Sequence, residues 1–240
     1  MSVRRTGSGP ELVWIHGLGE SSTSWDPVLA LLPRYTHTLI DLPGYGRSPW
    51  PAEPQSLDAL ADHLAAWLKT RPPTTLIGHS MGGVLAVLLA ERGAALKIVN
   101  VDGNVTHDDC TFSAIAEAQS EADFVAHGFA AMRDGIYREG VTDPPLRGYV
   151  AAQFFASPRT FHRQASDLVA LSKTESMAPR MAALAVPTLF IAGVPRGISE
   201  RSRALLDRHR VRWVGIEPAG HWVYLDQPAA FAATIEHFVG

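Results

Sequence analysis

Three stretches of the chain carry residues able to do chemistry together. In "TTLIGHSMGGVLAVLLAERG" a β-type apolar run meets Gly78-His79-Ser80-Met81-Gly82 and passes into a nearly all-apolar helical segment. Gly-x-Ser-x-Gly between a strand and a helix forces its central residue into a strained turn, with small neighbours where the two elements approach closely. The Ser80 hydroxyl is then exposed at the top of a sheet, where a nucleophile is needed. In "LVWIHGLGESSTSW" a strand ends at His16-Gly17-Leu18-Gly19 and a helix begins near Trp25. Acyl transfer needs backbone N–H donors aimed at the oxyanion, one following the nucleophile and one from such a loop, which assigns Met81 and Leu18. By itself the loop reads equally well as a glycine turn without a ligand. In "EPAGHWVYLDQPAAF", His221 follows a strand and a loop just before the last helix. A serine hydroxyl is a poor nucleophile until a base takes its proton, and imidazole titrates in the right range. His16 and His79 are read as structural members of their motifs.

The elements that must position these residues follow from hydropathy. Short apolar runs at Leu12–Ile15, His37–Ile40, Thr75–Ile77, Ile98–Val101, Thr188–Ala192 and Val211–Ile216 alternate with helical patterns at about 25–33, 56–70, 81–92, 198–209 and 227–238. This is the signature of an α/β fold, a mostly parallel sheet flanked by helices. The rhythm breaks between the fourth and fifth runs, where the chain is helical in pattern and rich in aromatics such as Phe124, Tyr149 and Phe161. The spacing predicts a core from residues 1–104 and 186–240 with a helical insertion at 105–185.

Composition narrows the class. At 240 residues and 46% hydrophobic content the chain can bury one sizeable core. A formal charge of −3 with scattered Lys and Arg excludes a phosphate-neutralising stripe, so no nucleic-acid partner is expected. Cys110 stands alone, which rules out an internal disulfide. The basic start "MSVRR" leads into "TGSGPE" rather than an apolar stretch, and the longest aliphatic run, Val84–Ala90, is too short to span a bilayer. The expectation is a cytoplasmic protein without a membrane span. No feature fixes an oligomeric state.

Taken together, "HGLGESSTSW", "DLPGYGRS", "IGHSMGG", "VPTLFIAG" and "AGHWVYLDQP" resemble the α/β-hydrolases of the small serine-nucleophile kind, along nearly the whole chain. The resemblance implies that the insertion is a helical cap over the site. It also implies a triad carboxylate, most often in a Gly-Asp turn after the strand that follows the cap. Here that strand ends "FIAGVPRGISE": Val194 stands at the expected position, and Pro195 and Arg196 offer no carboxylate. Some relatives place the acid at the end of the strand directly after the nucleophile helix. In this chain that strand, "LKIVNVDG", leads into Asp102. Parallel strands end at one sheet edge, so Asp102 emerges beside Ser80. The alternatives are that Asp102-Gly103-Asn104 is an ordinary turn, that Glu200 is the acid, or that no acid is used. Asp226 reads as a cap or surface partner of the last helix.

The polar cluster "VNVDGNVTHDDC" also raises a metal site. Four adjacent residues, His107 to Cys110, cannot all turn toward one ion, so none is expected. Asp108 and Asp109 are read instead as caps of a helix beginning near Thr111. The combined expectation is a cofactor-independent hydrolase of a carboxylic ester or thioester, working through an acyl-Ser80 intermediate with a Ser80, His221, Asp102 triad. The aromatic and aliphatic residues of the insertion point to an apolar small-molecule acyl substrate. A lactone hydrolase, or a C–C hydrolase or lyase, fits the same scaffold, and a ligand-binding protein without turnover is the reading from another class.

Overall fold

Alternate residues of the short strands face opposite ways, and each of the two apolar faces this creates must be covered. In β2 (Glu11–Ile15), Val13 and Ile15 join one core cluster while Leu12 and Trp14 join another. The computed structural model describes residues 1–240 and builds these strands into a seven-stranded sheet, order β1-β3-β2-β4-β5-β6-β7. Its strands are β1 (Ser2–Gly7), β2, β3 (Thr36–Asp41), β4 (Thr75–His79), β5 (Lys97–Val101), β6 (Thr188–Arg196) and β7 (Trp213–Gly220). All pairs are parallel except β1 with β3. The expected α/β class and mostly parallel sheet are therefore observed. β1 was not expected: "SVRRTG" has no apolar run, because this edge strand buries little.

On one face lie α1 (Asp26–Leu29), α11 (Val223–Asp226) and α12 (Pro228–Val239); on the other lie α2 (Leu57–Lys69) and α3 (Met81–Glu91), while α10 (Glu200–Arg208) links β6 to β7. In α2 the Ser56 side chain accepts from the Ala59 N–H, and Leu57, Leu60, Ala61, Leu64 and Leu68 form its buried stripe. α3 is buried from Met81 to Ala90, so its sequence is apolar all round. No helix is long and apolar enough to cross a membrane.

Between β5 and β6 the chain forms α4 (Phe112–Glu117), α5 (Glu121–Asp123), a π-helical turn (Phe124–Gly128), α6 (Phe129–Glu139), α7 (Pro144–Gln153), α8 (Pro158–Lys173) and α9 (Met177–Ala182). These helices share one continuous apolar cluster with the sheet face that α2 and α3 cover. Phe161 on α8 is central to the joint, 5.8 Å from the Phe124 ring and 5.3 Å from that of Phe129. The main-chain N–H of Ser157 also donates to Gly44 O at 2.7 Å, and Tyr45 Oη donates to Gln164 at 2.8 Å, fastening the "DLPGYGRS" loop to α8. Phe161→Ala is expected to cost about 3–5 kcal/mol, read as a lower urea midpoint at unchanged slope; a loss within roughly 0.5 kcal/mol, the range of ordinary surface substitutions, would contradict this packing role.

Candidate active site

The turn that carries Ser80 is built by close approach. A Cβ on Gly78 would lie 2.0 Å from the carbonyl oxygen of Gly82, so the strand-to-helix turn closes only with glycine there. Ser80, between them, is held at φ 53° and ψ −120°, a conformation that L-residues adopt at a cost. Its N–H donates to Val101 O at 2.8 Å, tying the turn to β5. The side chain opens into a cleft of about 290 Å³ walled by Leu18, Phe112, Leu146, Tyr149, Leu168 and Trp222, with His221 on the same cleft. The first N–H of α3, on Met81, and that of Leu18 donate to no main-chain acceptor. Both donors are thus free, that of Met81 at the positive end of α3 and that of Leu18 in a loop on the same cleft as Ser80.

Register places Asp102. His79 on β4 pairs with Val101 on β5, so the next residues, Ser80 and Asp102, leave the sheet side by side. Asp102 is fully buried, and its φ of 48° turns the carboxylate across toward β6. Oδ1 accepts from the Gly193 N–H at 3.1 Å, and Oδ2 lies 3.7 Å from His221 Nδ1 without a hydrogen-bond partner. Burial pushes the Asp102 carboxyl above the ordinary range, against the pull of His221, His79 and the Gly193 N–H. Asn100 fixes this turn, its Oδ1 accepting from the Gly103 N–H at 2.9 Å.

Ser80, His221, Asp102, Leu18 and Met81 are therefore brought to one sheet edge. Glu200 is not: its side chain is 95% exposed at the start of α10, beside Arg203. β6 and β7 pair again through Pro195 and Arg196 after a register irregularity at Val194, so the chain runs on as strand where the resemblance most often implies an acid-bearing turn. Asp109 does not cap α4. It sits in a short 3₁₀ turn, and its Oδ2 accepts from the N–H groups of Val105 (2.8 Å) and Thr106 (3.0 Å) while Oδ1 accepts from that of Ser199 (2.9 Å). It thereby joins the segment after β5 to the start of α10. Asp226 accepts from the Gly220 N–H at 2.7 Å and so braces the residue before His221.

A second histidine–carboxylate pair lies directly beneath, and sequence reasoning missed its acid. His79 Nδ1 is 3.0 Å from Glu20 Oε1, both side chains being buried. The other ring nitrogen, Nε2, donates to His221 O at 2.9 Å. Glu20 Oε2 accepts from the Gly17 N–H at 2.9 Å, and Oε1 from the Trp222 indole N–H at 2.6 Å. Burial alone would raise the Glu20 carboxyl, but His79 and these donors hold it at about 2. Burial would lower His79, and the Glu20 charge outweighs it and raises the imidazole. The only signal in the sequence was an acidic residue directly after His16-Gly17-Leu18-Gly19.

The sequence profile of the alpha/beta hydrolase family matches residues 12–234. The chain belongs to that family. Among its relatives, a pimeloyl-[acyl-carrier protein] methyl ester esterase of Aeromonas hydrophila is 31% identical, over 100% of this chain and 99% of the other. A 2-succinyl-6-hydroxy-2,4-cyclohexadiene-1-carboxylate synthase of Yersinia pseudotuberculosis is 27% identical over 99% and 90%. Among solved structures, a thermophilic esterase from Thermogutta terrifontis superposes with a TM-score of 0.80 at 22% identity, covering 99% of this chain and 92% of that one.

The Glu20–His79 pair makes stability depend on pH in a defined direction. A depressed carboxyl contributes above its ordinary value of 4.5 and loses that contribution as pH falls toward 2. A raised imidazole contributes fully below its ordinary 6.5 and loses that as pH climbs through its folded value. The two shifts describe one interaction and count once. Glu20→Gln is therefore expected to cost most between pH 4.5 and 6.5, on the order of 3 kcal/mol or roughly 6–12 °C in Tm. Thermal melts across pH check this, and a gap that stays constant down to about pH 2 would contradict it.

Proposed function

We propose that the protein hydrolyses carboxylic esters or thioesters through an acyl-Ser80 intermediate. The observation that carries the reading is the buried Asp102 oxygen that lacks a partner and faces His221 Nδ1, on the same sheet edge as the strained Ser80. A shift of under about 1 Å would make that contact a hydrogen bond, and such bonds are often long before substrate binds.

In this reading His221 takes the Ser80 proton as the hydroxyl attacks the acyl carbon. The N–H groups of Leu18 and Met81 hold the oxyanion of the tetrahedral intermediate. Asp102 keeps the proton of the imidazole on Nδ1 and stabilises the imidazolium. His221 then protonates the departing alcohol or thiol, the acyl-enzyme forms, and His221 activates a water that releases the acid and restores Ser80.

The helices between β5 and β6, residues 105–185 in the sequence reading, act as a cap that selects the acyl group. Phe112, Leu146, Tyr149 and Leu168 from these helices form an apolar wall of the cleft suited to an acyl chain, beside a polar rim of Asp108, Asp109, Glu139 and Arg196. The relative from Aeromonas hydrophila, a methyl ester esterase by name, supports an ester with a small alcohol leaving group as the first substrate to try.

A fluorophosphonate probe is expected to label the wild-type chain at Ser80 and to leave Ser80→Ala unlabelled; failure to label the wild type would sink the serine mechanism and favour a binding protein. On p-nitrophenyl esters, Asp102→Asn is expected to lower kcat by about 10³–10⁴-fold. Glu200→Gln is expected to stay within about twofold of wild type, as a surface side chain should. Near wild-type turnover in Asp102→Asn would defeat the assignment of the acid.

A further inference from the structure

Glu20 plays no part in the reaction as just described, yet its carboxylate is among the most fully engaged polar groups in the chain. It is 2% exposed. Its partners come from three separate segments: the Gly17 N–H, the His79 ring and the Trp222 indole N–H, with the Tyr224 hydroxyl 3.5 Å away. Each of the first three is the chain neighbour of a reacting position. Gly17 precedes Leu18, His79 precedes Ser80, and Trp222 follows His221.

The protonation pattern makes this network directional. A peptide oxygen only accepts, so the 2.9 Å contact with His221 O requires a proton on His79 Nε2. A carboxylate that already accepts from Gly17 and Trp222 leaves its 3.0 Å contact with Nδ1 to be filled by a second proton on the ring. His79 is then a buried imidazolium bridging Glu20 to the main chain of His221. The same links bear on the walls of the site, because the Trp222 indole held by Glu20 also lines the cleft.

We propose that Glu20 is a positioning residue, whose carboxylate holds the oxyanion loop, the nucleophile turn and the His221 loop in one register through Gly17, His79 and Trp222. The proposal rests on the reading of Ser80 and His221 as nucleophile and base. Glu20 touches none of the reacting atoms. Its effect is on the alignment of groups that must meet within a fraction of an ångström, where about 1 Å of misplacement costs on the order of 10²-fold in rate.

The test compares Glu20→Gln, Trp222→Phe and the double variant with wild type, at a temperature where circular dichroism shows each folded. Trp222→Phe removes one N–H donor to Glu20 and keeps an aromatic ring. Ile235→Ala, on α12 and away from the cleft, serves as a control that lowers Tm by core loss alone. Glu20→Gln is expected to lower kcat on a p-nitrophenyl ester about 10–100-fold with KM within roughly threefold, and to slow fluorophosphonate labelling of Ser80 in parallel. Trp222→Phe should lower kcat less, and add nothing in the Glu20→Gln background because its N–H acts through the lost carboxylate. Ile235→Ala should lower Tm and leave kcat at the wild-type value. Wild-type kcat in Glu20→Gln, a Trp222→Phe loss that simply multiplies with that of Glu20→Gln, or an equal kcat loss in Ile235→Ala would overturn the proposal. Failure of the probe to label wild-type Ser80 would instead bring down the reading of the site, and the role of Glu20 with it.

Discussion

The pairing of β4 with β5 ends at His79 opposite Val101, and that register sets where Ser80 and Asp102 stand. Both strands run the same way, so Ser80 and Asp102 step out of the sheet together, at φ 53° and 48°. Neither conformation is comfortable for an L-residue with a side chain. Each is anchored by one more main-chain bond to the next strand, from Ser80 N–H to Val101 O and from Asp102 N–H to Ile191 O. The buried β4 and α3 around the turn supply the packing that offsets the strain. A one-residue slip in this ladder would separate the hydroxyl from the carboxylate and turn each strand's apolar set to the wrong face.

Buried carboxylates in this chain fall into two kinds, told apart by how fully they are satisfied. Asp41 accepts from the N–H groups of Ser22 (2.7 Å) and Arg47 (3.0 Å), one on each oxygen, and shapes the loops beside the site. Glu20 is similarly engaged on both oxygens. Asp102 has a donor on one oxygen only, and the other faces His221. A buried acceptor left idle costs free energy. Bringing His221 Nδ1–H to it recovers that cost, which supports the proposed role of Asp102 beside His221, while the satisfied carboxylates belong to the frame around it.

Much of this was legible in the sequence because strands and glycine turns follow from local chemistry. Five of the six apolar runs lie within an observed strand and the sixth, Val211–Ile216, overlaps β7 from Trp213 on, and "GHSMG" predicts its turn from steric demand alone. β1 escaped because "SVRRTG" owes its pairing to β3, and its own residues bury little. The position of Asp102 beside Ser80 was legible from strand direction. Asp109 was misread as a cap of α4 because it turns back to the Val105 and Thr106 N–H groups of the preceding turn and reaches the Ser199 N–H across the fold. Glu20 was missed for the same reason: its partners His79 and Trp222 are distant in sequence, and only folding shows that a loop glutamate is the acceptor they share.

The proposed mechanism requires Ser80, His221 and Asp102 to work as one unit with the Leu18 and Met81 N–H groups. A crystal structure of the Ser80 adduct with a phosphonate, which mimics the tetrahedral intermediate, tests all five positions at once. The expected result places the phosphonyl oxygen about 2.7–3.1 Å from both main-chain nitrogens and draws His221 Nδ1 to roughly 3 Å from Asp102 Oδ2. A phosphonyl oxygen bound elsewhere, or a His221 ring turned away from Asp102 in the adduct, would contradict it.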